Sequence, residues 1–236
     1  MKAVILAAGV GSRLAPITDS RPKALVEVRG RSLVLRQLDH LAKAGIAGED
    51  VIVVGGYRID MLRDALAPYR CNVVENEKYQ EWGNFFSLMV AAPHVAREDF
   101  LQIDGDVVLD DKILPRMLAA PGEALIAVDR SAVLDDDAMK VALRGEQVIA
   151  VSKQADPKLC AGEYIGVTRL SVAAARAVFA ELQRFIDEQL THEYYDTAYH
   201  RLSARGDVPF GIVDVSDCRV LEIDDHADLR RAEETL

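Results

Sequence analysis

Residues 2–28 read KAVILAAGVGSRLAPITDSRPKALVEV, and this stretch decides the fold. Its first six residues are a short apolar run that ends at glycines, which is typical of a strand buried on both faces. Gly9 and Gly11 follow, and glycines let the backbone adopt positive φ and approach a ligand closely. Exposed amides in such a turn form a nest for phosphate oxygens, to which Arg13 and Lys23 add positive charge. The stretch predicts a buried parallel strand that opens into a phosphate-binding loop.

Apolar patterning predicts that strands and helices alternate through the first half of the chain. The predicted strands are 2–7, 24–28, 51–54, 71–75 and 100–103; one predicted helix starts after Ser32 and ends near Gly45, and two more cover 59–67 and 86–92. Alternation at these spacings is typical of βαβ units and a mostly parallel sheet.

The second half of the chain has a different pattern. Four strands with short links are predicted at 124–128, 139–143, 148–152 and 163–168, followed by helices 172–190 and 193–204, strands 208–215 and 219–223, and a closing helix 227–236. The four strands predict an antiparallel or mixed extension of the sheet. We expect one domain over residues 1–236 with a Rossmann-like α/β fold, in which a mixed, mostly parallel sheet is flanked by helices.

Composition excludes several classes of protein. The formal net charge is −10, so the chain gains little from the counterion release that drives binding to nucleic acid. No apolar run is long enough to span a bilayer, and no signal peptide is evident. Three scattered cysteines, Cys71, Cys160 and Cys218, fit a reducing compartment better than a disulfide framework. We expect a cytoplasmic protein with no nucleic acid or membrane partner.

Carboxylates follow two predicted strands. Asp104 and Asp106 come directly after strand 100–103, and Asp224 follows strand 219–223. Ligands bind at the carboxyl ends of strands in open α/β sheets, and Mg²⁺ prefers one or two carboxylates together with substrate phosphates. The sequence therefore predicts a Mg²⁺ site, although an Asp before a turn or at a helix N-cap is also commonplace, and Asp225 could be only an N-cap.

A bare Gly-x-Gly is more often only a turn, and two familiar phosphate motifs do not fit the loop. The dinucleotide fingerprint needs a third glycine where Leu14 stands, and the P-loop needs Gly-Lys-Ser/Thr. The extended string instead resembles the signature of the sugar-phosphate and phosphocholine type nucleotidyltransferases. That pattern is Leu-Ala-Ala-Gly-x-Gly-Ser/Thr-Arg-Leu, then Pro-x-Thr, then Pro-Lys-x-Leu, and it is met by residues 6–14, Pro16, Thr18, Pro22, Lys23 and Leu25.

The resemblance implies a GT-A-like nucleotidyltransferase fold and a role for each matching residue. The nucleotide would be lined by Leu6, Ala7, Ala8, Gly9, Gly11 and Ser12. Arg13 and Lys23 would grip its phosphates, and Asp106 and Asp224 would hold Mg²⁺. Asp104 would orient the loop or the nucleotide. A nucleotide-binding half of about 1–110 and an acceptor-binding half of about 111–236 follow from this assignment.

Residues 76–88 are similar to a segment of phosphocholine cytidylyltransferases, although Gly83 and Phe86 depart from that pattern. Asn84 and Ser87 are candidate contacts to the nucleotide or acceptor, and helix capping is an equal alternative for Ser87. Lys153 resembles a lysine that meets the acceptor phosphate in related enzymes; a surface lysine without a role is the alternative.

The resemblance also suggests an acceptor pocket around Glu163-Tyr164-Ile165-Gly166. Aromatic side chains could surround a quaternary amine there, with a carboxylate adding charge, although such aromatics are more often core or rim residues. The candidates for the pocket are Trp82, Tyr194, Tyr195, Glu163, Tyr164 and Glu222.

The expected reaction uses CTP, Mg²⁺ and a small acceptor that bears a phosphate or phosphonate, such as phosphocholine, an aminoalkyl or hydroxyalkyl phosphonate, or a polyol phosphate. An acceptor oxygen that is already anionic needs no strong general base, and the five histidines lack metal-ligand spacing. Two alternatives stay open: a sugar-1-phosphate uridylyl- or thymidylyltransferase, and a nucleotide-binding protein without turnover. The chain could also form a homodimer.

Overall fold

The computed structural model describes residues 1–236. Its strands, numbered in chain order, are β1 Lys2–Ala7, β2 Glu27–Val28, β3 Arg31–Ser32, β4 Val51–Gly55, β5 Asn72–Glu75, β6 Phe100–Asp104, β7 Val107–Leu109, β8 Ala124–Asp129, β9 Lys140–Arg144, β10 Gln147–Ser152, β11 Cys160–Leu170, β12 Phe210–Asp214 and β13 Val220–Glu222. Its α-helices are α1 Leu33–Lys43, α2 Ile59–Leu66, α3 Phe85–Val95, α4 Ile113–Ala119, α5 Val172–Asp187, α6 Tyr195–Arg205 and α7 His226–Thr235.

A nine-stranded sheet forms the centre of the fold, in the order β10-β9-β11-β6-β1-β4-β5, and β8 pairs with both β11 and β12. The β1 strand runs parallel to both of its neighbours, so that Ile5 lies opposite Val53 on β4 and Ile103 on β6. The β11 strand is antiparallel to β6, β8 and β9. The predicted parallel first half and mixed second half are confirmed.

Both faces of the sheet are covered, which explains why β1 is apolar on both sides. Val4 packs into a core of 27 buried residues with α3, α5 and α6, and Ala3 and Ile5 pack into a second core of 26 buried residues with α1, α2 and α4. Alternate side chains of one strand therefore enter two different cores. None of the helices is long and apolar enough to cross a membrane.

Several predicted elements differ from the structure. Residues 24–28 were expected to form one strand, but Lys23–Leu25 is a 3-10 turn closed by the Val26 amide on the Lys23 carbonyl, and only Glu27–Val28 is a strand. The sequence did not predict β7 or α4, which are three and seven residues long and too short for a clear period. Several other bounds shift by two or more residues: α5 ends at Asp187, α6 starts at Tyr195, and β11 extends over Cys160–Leu170.

A buried carboxylate joins α5 to α6. The Glu181 side chain is 1% exposed and pairs with Arg184 at 2.9 Å, Arg205 at 2.7 Å and Arg201 at 3.5 Å. A buried carboxylate is tolerated only when it is paired and hydrogen-bonded, and these three arginines meet that requirement. The cluster fixes α6, whose first turn lies beside the candidate site.

Glu181→Gln should lower the free energy of unfolding by about 2 kcal/mol, because it removes the central charge of a buried, charge-assisted hydrogen-bond cluster. Urea unfolding followed by circular dichroism measures the change. Glu188→Gln is the matched control, since Glu188 is 55% exposed and meets Arg201 only at 3.6 Å; it should cost less than about 1 kcal/mol. Equal effects of the two variants would contradict the role assigned to Glu181.

Candidate active site

The loop after β1 folds around Lys23. Gly11 adopts φ of +72°, its carbonyl accepts a 2.8 Å hydrogen bond from the Thr18 hydroxyl, and a Cβ at this position would lie 2.9 Å from the Lys23 Cβ. Only a glycine satisfies both the backbone conformation and the close approach. A small cavity of about 40 Å³ opens here, and it is lined by Leu6, Ala7, Gly9, Lys23, Ala24, Gly105 and Asp106. The structure thus brings three of the predicted nucleotide-lining residues next to Lys23 and one predicted metal ligand.

Two short strands bring the distant carboxylates together. The β13 strand pairs antiparallel with β7, and the Ile223 amide donates to the Asp106 carbonyl at 3.0 Å. Asp106 precedes β7 and Asp224 follows β13, so this pairing sets the two side chains side by side. Oxygens of Asp106, Glu222 and Asp224 lie within 4.8 Å of one another. We call these three residues the acidic cluster.

Two cations contact Asp106 and Asp224 of the acidic cluster. The Lys23 ammonium donates to Asp106 at 2.8 Å and to Asp224 at 2.6 Å, and the Arg13 guanidinium donates to Asp224 at 2.6 Å. Burial alone would lower the pKa of Lys23, but Asp106 and Asp224 together raise it. Burial opposes ionisation of Asp224, yet Lys23 and Arg13 lower its pKa overall. Lys23 is therefore a cation and Asp224 an anion at neutral pH.

The acidic cluster fits a divalent metal ion. Burial of its carboxylate, and then repulsion from Asp106 and Asp224, raise the pKa of Glu222 to about 7. Once Glu222 is ionised, three carboxylates face the two cations Lys23 and Arg13. Carboxylate oxygens are the ligands that Mg²⁺ prefers. Asp225 does not join them, because its side chain caps α7 by accepting from the Ala227 amide at 2.6 Å.

Asp104 lies apart from the acidic cluster. Its carboxylate accepts from the Tyr195 hydroxyl at 2.6 Å and from the Gln102 amide at 2.8 Å. Burial, and then repulsion from Asp106, raise the pKa of Asp104 well above its usual range. The side chain belongs to a polar network inside the sheet, which connects the end of β6 to the first turn of α6.

Sequence reasoning missed Gln37, which holds the turn that carries Asp106. Its side-chain amide donates to the carbonyls of Asp104 at 2.7 Å and Val107 at 3.0 Å, and the residue is 1% exposed. These two carbonyls bracket Asp106, so Gln37 acts on its position through the backbone. A signal existed in the sequence, since a glutamine on the apolar face of α1, next to Leu38, needs buried hydrogen-bond partners.

Two predicted contact residues of the segment 76–88, Asn84 and Ser87, are hydrogen-bonded to other residues of the chain. Asn84 accepts from the Tyr195 amide at 3.0 Å, and the Ser87 hydroxyl accepts from the Asn76 side chain at 2.9 Å. Ser87 lies inside α3 and does not cap it. Gly83 lies against the segment before α6: its amide donates to the Thr191 carbonyl at 2.7 Å, and a Cβ on Gly83 would be 1.8 Å from a backbone oxygen of residue 193. Only glycine fits at this crossing.

The structure does not bring the predicted acceptor residues together in one pocket. Tyr164 is buried, with its hydroxyl hydrogen-bonded to Gln102 and Thr168. Trp82 packs edge-on against Phe86 with ring centroids 4.6 Å apart. The remaining candidates are separate: Glu222 is in the acidic cluster, Glu163 lies on β11 with a pKa raised by burial and by Asp135, and Lys153 and Tyr194 line a cavity of about 630 Å³.

The fold is shared with known nucleotidyltransferases. It superposes on the inositol-1-phosphate CTP transferase from T. maritima with a TM-score of 0.79 and 24% identity, over 100% of this chain and 97% of that one. Residues 3–192 match the model of the MobA-like NTP transferase domain. The chain belongs to this family.

Two curated relatives are cytidylyl enzymes by name. The chain is 30% identical to the CMP-5'-(3-aminopropyl)phosphonate synthase of Streptomyces rubellomurinus, over 99% of this chain and 38% of that protein. It is 38% identical to the choline-phosphate cytidylyltransferase of Streptococcus pneumoniae, over 44% of each. The matched regions cover less than half the length of either relative.

Lys23→Met should tighten binding of Mn²⁺ to the nucleotide-free protein by roughly tenfold, because it removes the ammonium that competes for Asp106 and Asp224. Titration of free Mn²⁺ by electron paramagnetic resonance measures the affinity. Arg13→Met is the matched control, and its smaller effect follows from a side chain that is 66% exposed, against 12% for Lys23. Weaker metal binding in Lys23→Met would show that Lys23 does not compete with a metal ion.

Proposed function

We propose that this protein is a Mg²⁺-dependent cytidylyltransferase, which moves CMP from CTP to a small acceptor bearing a phosphate or phosphonate. One observation carries the proposal: Lys23 and Arg13 converge with the acidic cluster at the mouth of the glycine loop. Such a site offers charge to both a polyphosphate and a metal ion. The cytidylyl relatives support the choice of CTP and of a small acceptor.

The chain's own residues position the reactants. Loop amides around Gly9 and Gly11, with Arg13 and Lys23, receive the triphosphate oxygens. An acceptor oxygen forms a bond to the α-phosphorus, and the bond from that phosphorus to the bridging oxygen breaks, so that pyrophosphate leaves with the bond electrons. Mg²⁺, held by Asp106 and Asp224, would supply Lewis-acid neutralisation of phosphate charge. No strong base is needed, because the attacking oxygen is already an anion.

The proposal also covers the division of the domain between the two substrates, the partners and the cellular location. Residues of about 1–110 would bind the nucleotide and those of about 111–236 the acceptor, within one domain. A net charge of −10 argues against a nucleic acid partner. All three cysteines are free, which supports a reducing, cytoplasmic location.

Incubation of the protein with each NTP and a panel of acceptors should release pyrophosphate fastest with CTP and a small phosphonate or phosphate monoester. Coupled detection of pyrophosphate, with mass spectrometry of the product, measures the reaction. Strict use of UTP or dTTP with a hexose 1-phosphate would replace the cytidylyl assignment with a sugar-nucleotide one. Binding of CTP without turnover on any acceptor would indicate a nucleotide-binding protein.

Asp106→Asn and Asp224→Asn should each lower kcat by about 100-fold or more, because each removes a charge that the metal ion and Lys23 require. Asp225→Asn is the matched control: it removes the neighbouring carboxylate but keeps a side chain that caps α7 well, so its kcat should stay near that of the parent. Circular dichroism verifies that all three variants are folded. Near-parent rates in both cluster variants would refute the metal assignment.

A further inference from the structure

A cavity of about 630 Å³ lies where the loop after β10 meets the first turn of α6. Its volume is in the range of small-molecule sites. Only 4 of its 14 lining residues are hydrophobic, and the charged ones are Lys153, Glu193 and Asp196. Such a lining suits a small charged ligand better than an apolar one.

Asp196 is the unusual member of this lining. It is 8% exposed, and its carboxylate has no ion pair and no hydrogen bond to another side chain. Burial raises the pKa of Asp196 to about 6, although Lys153 and the Thr197 amide act in the opposite direction. Glu181, equally enclosed on the neighbouring helix, is met by three arginines. An acidic residue in the first turn of α6 interacts favourably with the helix dipole, but that interaction does not require the side chain to be buried beside a cavity.

No cation forms an ion pair with Asp196. Lys153 lines the same cavity and acts to lower the pKa of Asp196, but its ammonium makes no ion pair with the carboxylate. His200 lines the same cavity, but its Nδ1 accepts from the Val151 amide at 3.3 Å, and burial and Arg201 lower its pKa, so it is neutral at neutral pH. A buried carboxylate without a counter-ion is costly, and a bound ligand cation would remove that cost.

The aromatic residues near the cavity indicate which kind of ligand cation would fit beside Asp196. Quaternary amines are recognised by cages of several aromatic rings. Tyr194 is the one aromatic side chain in the cavity lining, and Trp82 packs on Phe86 instead. The Tyr195 hydroxyl is used by Asp104. A carboxylate without an aromatic cage suits a cation that donates N–H hydrogen bonds.

We propose that this cavity receives the amine end of the acceptor, and that Asp196 is the ionic partner of a primary ammonium group on it. The proposal rests on the proposed cytidylyl transfer and narrows its acceptor class to small ammonium-bearing phosphonates or phosphates. The residue next to Asp196, Tyr195, is buried and donates to Asp104, which lies two positions before Asp106. Lys140, 2% exposed, donates to the Lys153 carbonyl at 2.7 Å and fixes the opposite wall.

The test compares three acceptors of one length: aminoethylphosphonate, its trimethylammonium analogue and ethylphosphonate. The parent protein should show the highest kcat/KM with aminoethylphosphonate. Asp196→Asn should lower that value by roughly 10- to 100-fold while changing the value for ethylphosphonate little. The same variant should unfold at an equal or higher temperature, since it removes a buried charge without a partner. A purely structural Asp196 would instead lower the unfolding temperature and slow all three acceptors alike.

Turnover of all three acceptors at equal kcat/KM, or an unchanged preference in Asp196→Asn, would overturn the assignment of Asp196 and leave the cytidylyl proposal intact. Absence of pyrophosphate release with every NTP and acceptor would refute the proposed function instead. Calorimetric titration then tests the cavity directly. Tighter binding of aminoethylphosphonate than of ethylphosphonate by the parent, lost in Asp196→Asn, supports the assignment, and equal binding contradicts it.

Discussion

The ammonium of Lys23 holds Asp106 and Asp224 together, and most features of this protein are arranged around that contact. Three carboxylates lie within 4.8 Å of one another, and burial, followed by repulsion from Asp106 and Asp224, raises the pKa of Glu222 to about 7. A cation among them reduces this repulsion. That cation is Lys23, which lies in the turn before β2. Gly11, at positive φ and without a Cβ, allows the loop after β1 to pack against the aliphatic part of the Lys23 side chain.

This arrangement couples the ligands of the site to one another. Arg13 and Lys23 are the cations that a polyphosphate needs, yet both are engaged by the carboxylates that a metal ion needs. A nucleotide that attracts the two side chains frees carboxylate oxygens, and a metal ion that enters frees the side chains. Under the proposed function each ligand would therefore favour binding of the other, and by thermodynamic linkage the coupling would be reciprocal. The same four side chains, Arg13, Lys23, Asp106 and Asp224, would pair with one another in the empty site and with the nucleotide and metal ion in the occupied site.

The sequence predicted the elements that have a long apolar pattern. It did not predict very short strands or the tertiary hydrogen bonds of single polar side chains. Long apolar runs predicted β1 and β6, which the structure confirms, whereas the roles that the family resemblance gives to Lys23 and Asp106 stay predictions. The family resemblance paired Asp106 with Asp224, and strand 219–223 was predicted where β13 forms, but β7, the three-residue strand that pairs with β13, is too short to leave a period in the sequence. Similarly, the sequence did not predict the hydrogen bonds that Asn84 makes with the Tyr195 amide and Ser87 with the Asn76 side chain; their roles as contacts to the nucleotide or acceptor stay predictions.

Gly83, where the chain departs from the phosphocholine pattern, lies against the backbone of residues 191–193. These residues line the large cavity, so this part of the cavity wall packs directly against the backbone of Gly83. A bulkier residue at 83 would force the wall to move without contacting any ligand. A substitution at position 83 can therefore change the dimensions of the cavity, although residue 83 does not line it.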